Sequence, residues 1–199
     1  MKDIQQLNEE FNKIGESDNL GMVKYYESNN DSIDNIDIEH YNTKLRLQGE
    51  YGLSLVSSGH PSPAVAVLAK SIQMFENSPT IDNDTLHEVN YYQHLKWNYG
   101  LALYRSNQKS KATEIFKSLV HDYSKNEMYF AWLIQLKEEK INKITRPFWI
   151  ICGIWLIGEL TFFEKLDQNI QFTLSIIGFL FLVPAVISEL YLYTLKKKN

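Results

Sequence analysis

The chain has 199 residues, with 20 Lys+Arg against 24 Asp+Glu and a formal net charge of −4. That is room for one globular domain with a smaller appendage, and it makes no electrostatic case for a nucleic-acid partner. The single cysteine, Cys152, excludes an intramolecular disulfide and a multi-cysteine metal centre.

The N-terminus, MKDIQQLNEEFNKIGESDN, has neither the apolar core nor the small-residue cleavage site of a secretory signal. Residues 3–14 and 18–28 read as two short helices, and Asp31–Glu39 as an acidic loop. Tyr41–Ser58 reads as a helix, broken by Gly59, His60 and Pro61. Pro63–Glu76 follows, with Pro63 near a helix start, where proline is tolerated. Next comes Asp84–Arg105, with Asp84 as N-cap and Ser106-Asn107 as its end, then Ser110–Tyr123. A further helix, Lys125–Asn142, has apolar Met128, Leu133, Leu136 and Ile141 and caps the stack.

Within these helices a pattern recurs. Lys96, Tyr99, Gly100, Leu103, Ala112, Phe116 and Leu119 fall 48 residues after Gln48, Tyr51, Gly52, Leu55, Ala64, Leu68 and Ser71, with no gap inside either unit. Glycine inside a helix costs about 1 kcal/mol relative to alanine, so a glycine at the same place in both units asks for a packing reason. Close approach of a second helix supplies one. The pattern resembles the tetratricopeptide repeat, a pair of antiparallel helices with small residues at the contact between them. Gln48 and Lys96 stand where that family has tryptophan, and no proline ends the unit at the family's position. The 48-residue spacing also exceeds the family's 34, so extra residues around Asn77–Leu86 must loop out.

The resemblance implies a concave surface lined mainly by the first helix of each pair. Its positions here are Arg46, Glu50 and Leu53, then His94, Trp97, Asn98, Leu101, Tyr104 and Arg105, with Met128, Trp132 and Gln135 from the capping helix. Tryptophan, tyrosine and arginine are enriched at binding hot spots, although Trp97 and Trp132 serve equally as core. A subtype of the family clamps terminal carboxylates with basic residues and asparagines. Asn98 fits that subtype, whereas Gly49, Leu53, Met128 and Trp132 do not.

The last fifty residues differ in kind. Phe148–Phe163 and Ile170–Leu195 are apolar, separated by EKLDQN, and read as two transmembrane helices at about 148–163 and 170–193. At about 1.5 Å per residue the first apolar run is short for a bilayer core of roughly 30 Å, and the second is ample. Lys137, Lys140, Lys143 and Arg146 precede the first span and Lys196, Lys197 and Lys198 follow the second. Positive charge on that side places both termini in the cytoplasm. The Asn-, Ile- and Lys-rich style leans towards a bacterial inner membrane; in a eukaryote the KKKN ending would suit the endoplasmic reticulum. Glu159 is an intramembrane carboxylate, a residue type that can handle protons or ions.

No phosphate-binding glycine loop, H-E-x-x-H or G-x-S-x-G motif is present, and no catalytic residue, metal or cofactor is expected. The expectation is an all-α chain, with tetratricopeptide-like helix pairs followed by a membrane hairpin. Its role would be that of an adaptor holding a protein partner at the lipid bilayer, with self-association as a further option. The competing expectation is a hairpin that forms a pore or shapes the bilayer under control of the helical domain.

Overall fold

The computed structural model describes residues 3–15, 17–78, 86–162 and 166–197. Regular structure among them is entirely helical: α1 (Ile4–Asn12), α2 (Asn19–Ser28), α3 (Asn30–Asp34), α4 (Tyr41–Ser57), α5 (Pro61–Glu76), α6 (Asn90–Arg105), α7 (Lys109–Asp122), α8 (Glu127–Thr161) and α9 (Gln168–Lys197). The chain forms two compact units, Met1–Phe130 and Ala131–Asn199.

In the first unit, α1 and α2 start on aspartate caps. The Asp3 carboxylate accepts the Gln6 N–H at 2.8 Å and that of Asp18 accepts the Gly21 N–H at 2.8 Å. Leu7, Phe11, Tyr26, Ile33 and Leu47 form a small core here, and Tyr26 stacks on Tyr51 with ring centroids 4.1 Å apart. The acidic segment expected as a loop carries α3 and a 3-10 turn, Ile38–His40. Ile33 explains this difference: it is fully buried in that core, so the backbone around it must pair its polar groups internally.

The main core lies between α4, α5 and α6, around Leu45, Leu55, Leu68, Phe75, Tyr92 and Leu95. α4 packs on α5, α5 on α6 and α6 on α7, and α4 also touches α6. α4–α5 and α6–α7 are each joined by three residues, so each pair is an antiparallel hairpin. The two turns are the same. Gly59 has φ +84° and Asn107 φ +61°, the left-handed conformation that ends many helices. The His60 and Gln108 N–H groups reach back to the Leu55 and Leu103 carbonyls, both at 2.8 Å. Gly59 and Asn107 donate to Val56 and Tyr104 at 3.3 and 3.0 Å. Those four bonds are two copies of a Schellman cap.

The repeated glycines sit at matching contacts. A Cβ on Gly52 would come within 2.7 Å of Leu68 Cδ2 and 3.2 Å of Val67. On Gly100 it would meet Phe116 at 3.0 Å and Ile115 at 3.3 Å. Ala64 and Ala112 are fully buried, as are Leu68, Leu103 and Phe116, while Leu55 is 3% exposed. Tyr51 and Tyr99 are half-buried. Several helix boundaries move, two of them instructively. α5 begins at Pro61, with both prolines in its first turn, where a missing N–H leaves no bond unmade. α6 begins at Asn90, and the expected Asp84 cap lies outside the described residues.

The second unit holds α9 and most of α8. Sequence reading ends one helix at Asn142 and starts another at Phe148, whereas α8 runs through Pro147 without a break. At about 1.5 Å per residue its 35 residues extend roughly 52 Å, so the short apolar run does not limit its length. α8 and α9 are both long and apolar enough to cross a membrane, and only 11% of the most apolar window of each is buried.

Candidate functional site

Four of the expected surface residues come together. Arg46, Glu50 and Leu53 on α4 and His94 on α6 line a cleft of about 580 Å³, whose other wall is α1 and α2 through Phe11, Asn12, Asn19 and Met22. The i, i+4 step from Arg46 to Glu50 puts both on one helix face. The sequence reading missed the N-terminal wall, because nothing in residues 3–28 marks a partner for α4.

Arg46 is already engaged there. Its guanidinium donates to Asn8 and, at 2.8 Å, to Asn12, and lies 5.1 Å from the Phe11 ring centroid. It therefore ties α1 to α4, and any ligand in the cleft meets a cation that is already held in place. Behind it stands Tyr91. Burial, then the Glu50 carboxylate, pushes the Tyr91 hydroxyl far above the ordinary tyrosine range, while Arg46 pulls weakly the other way. A Cβ on Gly49 would collide with the Tyr91 hydroxyl. That buried glycine lets the tyrosine approach α4, a second feature the sequence reading missed.

The remaining expected positions divide. Trp97 packs edge-on against Phe116, centroids 5.3 Å apart, and against Tyr129 at 5.1 Å. Its ring is half-buried, takes the packing role that the sequence left open, and does not line the cleft. Leu101 is 9% exposed and belongs to the core. Asn98 donates to the His94 carbonyl at 2.9 Å within its own helix. Arg105 is exposed and reaches the Val56 carbonyl at 3.3 Å, linking the two helix pairs. Tyr104 lies under Lys109, 5.5 Å from ring centroid to ammonium. Met128 is 48% exposed in the first unit. Trp132 and Gln135 fall in the second unit, where Trp132 is half-buried and Gln135 exposed.

Neither family models, curated proteins nor solved structures match this chain.

One polar constellation has chemistry to weigh. Lys96, 13% exposed, donates to Ser118 Oγ at 2.8 Å and to Asp122 Oδ2 at 3.1 Å; Ser118 donates to the same carboxylate at 3.2 Å. Serine beside lysine is a nucleophile–base arrangement in some hydrolases. Here Asp122 is the lysine's counterion, so the amine acts as an ion-pair partner. Burial pushes the Asp122 carboxyl up, but His121, Lys96 and Ser118 together outweigh it and hold the group below its usual range. The network pins α6 to α7. Among the described residues no three His, Cys, Asp or Glu side chains converge as metal ligands.

In the second unit the two long helices meet through side chains. Trp155 lies against α9 where Gly178 leaves room, since a Cβ at Gly178 would fall within the indole. Its Nε1–H donates to the Leu174 carbonyl at 3.0 Å. Phe148 meets Phe181 with centroids 6.2 Å apart. These pairings run in opposite directions along the two helices, so the helices are antiparallel. Glu159 Oε2 is shielded from the surface and has no hydrogen-bond partner among the described residues. Thr173 donates to its own helix at the Asn169 carbonyl, 2.9 Å away.

Proposed function

We propose that this chain is a membrane-anchored adaptor. Its helical domain captures a protein segment, and α8 and α9 hold it in a bilayer with both termini in the cytoplasm. The cleft between α1–α2 and α4–α6 carries this reading, since it joins a cation, a carboxylate and an exposed imidazole in a mostly polar lining. The twin hairpins with matching glycine contacts support a tetratricopeptide-like domain, a fold suited to presenting such surfaces. Anchoring raises a partner's local concentration without new contacts.

The test is affinity capture with tagged full-length protein in mild detergent, beside a Glu50→Ala/His94→Ala variant of unchanged helicity. A partner held by the parent and lost by the variant supports the adaptor. Identical partners on both refute the cleft as its site. A second reading, an ion-handling hairpin, rests on the unpartnered Glu159 Oε2. Under it, Glu159→Gln removes ion flux from reconstituted vesicles and leaves partner capture unchanged.

A further inference from the structure

A second cleft, of about 440 Å³, lies between α8 and α9 and is lined by Asn142, Thr145, Arg146, Trp149, Ile150 and Glu189. Its lining carries one positive and one negative side chain. Arg146 and Glu189 are both exposed, and neither has a partner among the described residues. Thr145 is 7% exposed and its hydroxyl is spent on the Ile141 carbonyl at 3.1 Å. The floor is therefore apolar, and only Arg146, Asn142 and Glu189 have free polar groups to offer.

The level of the cleft matters as much as its lining. Arg146 is the last cation before the apolar part of α8, and Trp149, 42% exposed, follows one turn later. Tyr191 and Tyr193, also exposed, follow Glu189 within about one turn on α9. Aromatic side chains of this kind concentrate at the headgroup region of a bilayer. Grooves with basic residues at that depth bind lipid headgroups. A purely anionic headgroup would meet the Glu189 carboxylate, an unpaired like charge. A headgroup that joins a phosphate to an ammonium satisfies both side chains.

The geometry points to a binding site for a phospholipid whose headgroup carries a phosphate and a primary ammonium. The inference rests on α8 and α9 lying in a membrane. Arg146 and Asn142 bind the phosphate, which accepts their N–H groups. Glu189 accepts hydrogen bonds from the ammonium, which a quaternary choline cannot donate. Trp149 and Ile150 cover the upper part of an acyl chain.

Full-length protein would be reconstituted in bilayers of equal phosphatidylethanolamine, phosphatidylglycerol and phosphatidylcholine, then extracted gently and its retained lipids quantified. The expected result is enrichment of phosphatidylethanolamine over both others by about fivefold, the scale of one headgroup charge contact. Arg146→Gln abolishes the enrichment. Glu189→Gln shifts it towards phosphatidylglycerol. Lys143→Gln, outside the cleft, leaves it unchanged. No enrichment in the parent, or equal losses at Lys143 and Arg146, overturns the site. Alkaline carbonate extraction of cell membranes separates the two levels. Protein released by carbonate refutes the membrane reading itself, whereas protein retained without lipid preference refutes only the headgroup site.

Discussion

Alanine at Gly52 puts two opposing effects in one methyl group. Replacing glycine by alanine inside a helix stabilises by about 1 kcal/mol. The new methyl, however, would sit 2.7 Å from Leu68 Cδ2 and 2.9 Å from Cγ. Leu68 is fully buried, so its side chain can yield only by displacing its core neighbours. Overpacking of this kind costs about 1–3 kcal/mol, so Gly52→Ala should destabilise by a net of about 1 kcal/mol. At Gly100 the nearest atoms are at 3.0 and 3.1 Å on the edge of the Phe116 ring. The same substitution there should come out near neutral. The sign at Gly52 then depends on Leu68. In a Leu68→Ala background, Gly52→Ala should become stabilising by about 1 kcal/mol, the propensity term alone. Urea denaturation of full-length protein in detergent, with hydrogen exchange read on α4 and α5 peptides, measures all four corners of this cycle. A Gly52→Ala variant more stable than the parent, with no change of sign on removing the Leu68 side chain, refutes the close approach of α4 and α5.

Gln48 is 2% exposed with Oε1 unpartnered, so Gln48→Met should raise the urea midpoint, by about 1–2 kcal/mol in stability. Burial, with Glu10 and with Asp34 and Tyr51 respectively, pushes the Tyr25 and Tyr26 hydroxyls from 10.0 up to about 12. The neutral hydroxyl is the form the fold favours, so this contribution is complete below pH 10.0 and is lost as pH rises towards about 12. The tyrosinate absorbance that the parent shows in excess of a Tyr25→Phe/Tyr26→Phe variant should appear together with the loss of helicity across that window, and that excess appearing at pH 10.0 in a still-helical protein would contradict it. Gly178→Leu should separate the Trp155 indole from α9, red-shifting its fluorescence and breaking the crosslink of a Phe148→Cys/Phe181→Cys pair made in a Cys152→Ser background.

Much of the helical domain is legible in sequence because its punctuation is local. Gly59 with Pro61, and Ser106-Asn107, mark the turns through backbone preferences that need no neighbours. The matched glycines give away the helix contacts. What escaped depends on distant residues. α3 forms because Ile33 is buried in the core that α1, α2 and α4 share, a fact the nine-residue window Asp31–Glu39 does not contain. Trp97 reads as groove or core according to what Phe116 and Tyr129 do. Arg46 reads as a binding cation until Asn12, 34 residues away, is found holding it. The continuity of α8 was hidden by Pro147, whose cost inside a helix is real but local.

The tie between Arg46 and Asn12 also has a bearing on time. α4 and α5 close across three residues, and so do α6 and α7, so each hairpin assembles at the speed of a short loop. The clasp of α1 onto α4, through Arg46 and the small core around Leu7 and Leu47, joins residues 34 apart in sequence, and contacts between distant segments form late. The cleft therefore gains its floor before its second wall. Its most accessible excited state is one in which α1 has lifted away while α4 to α7 remain folded. Faster amide exchange in residues 4–12 than in 41–57 would register that order. A partner arriving at the nascent or breathing domain would then compete with α1 for the α4 face, and its affinity would be set as much by the hold of α1, arginine clasp and small core together, as by its own contacts.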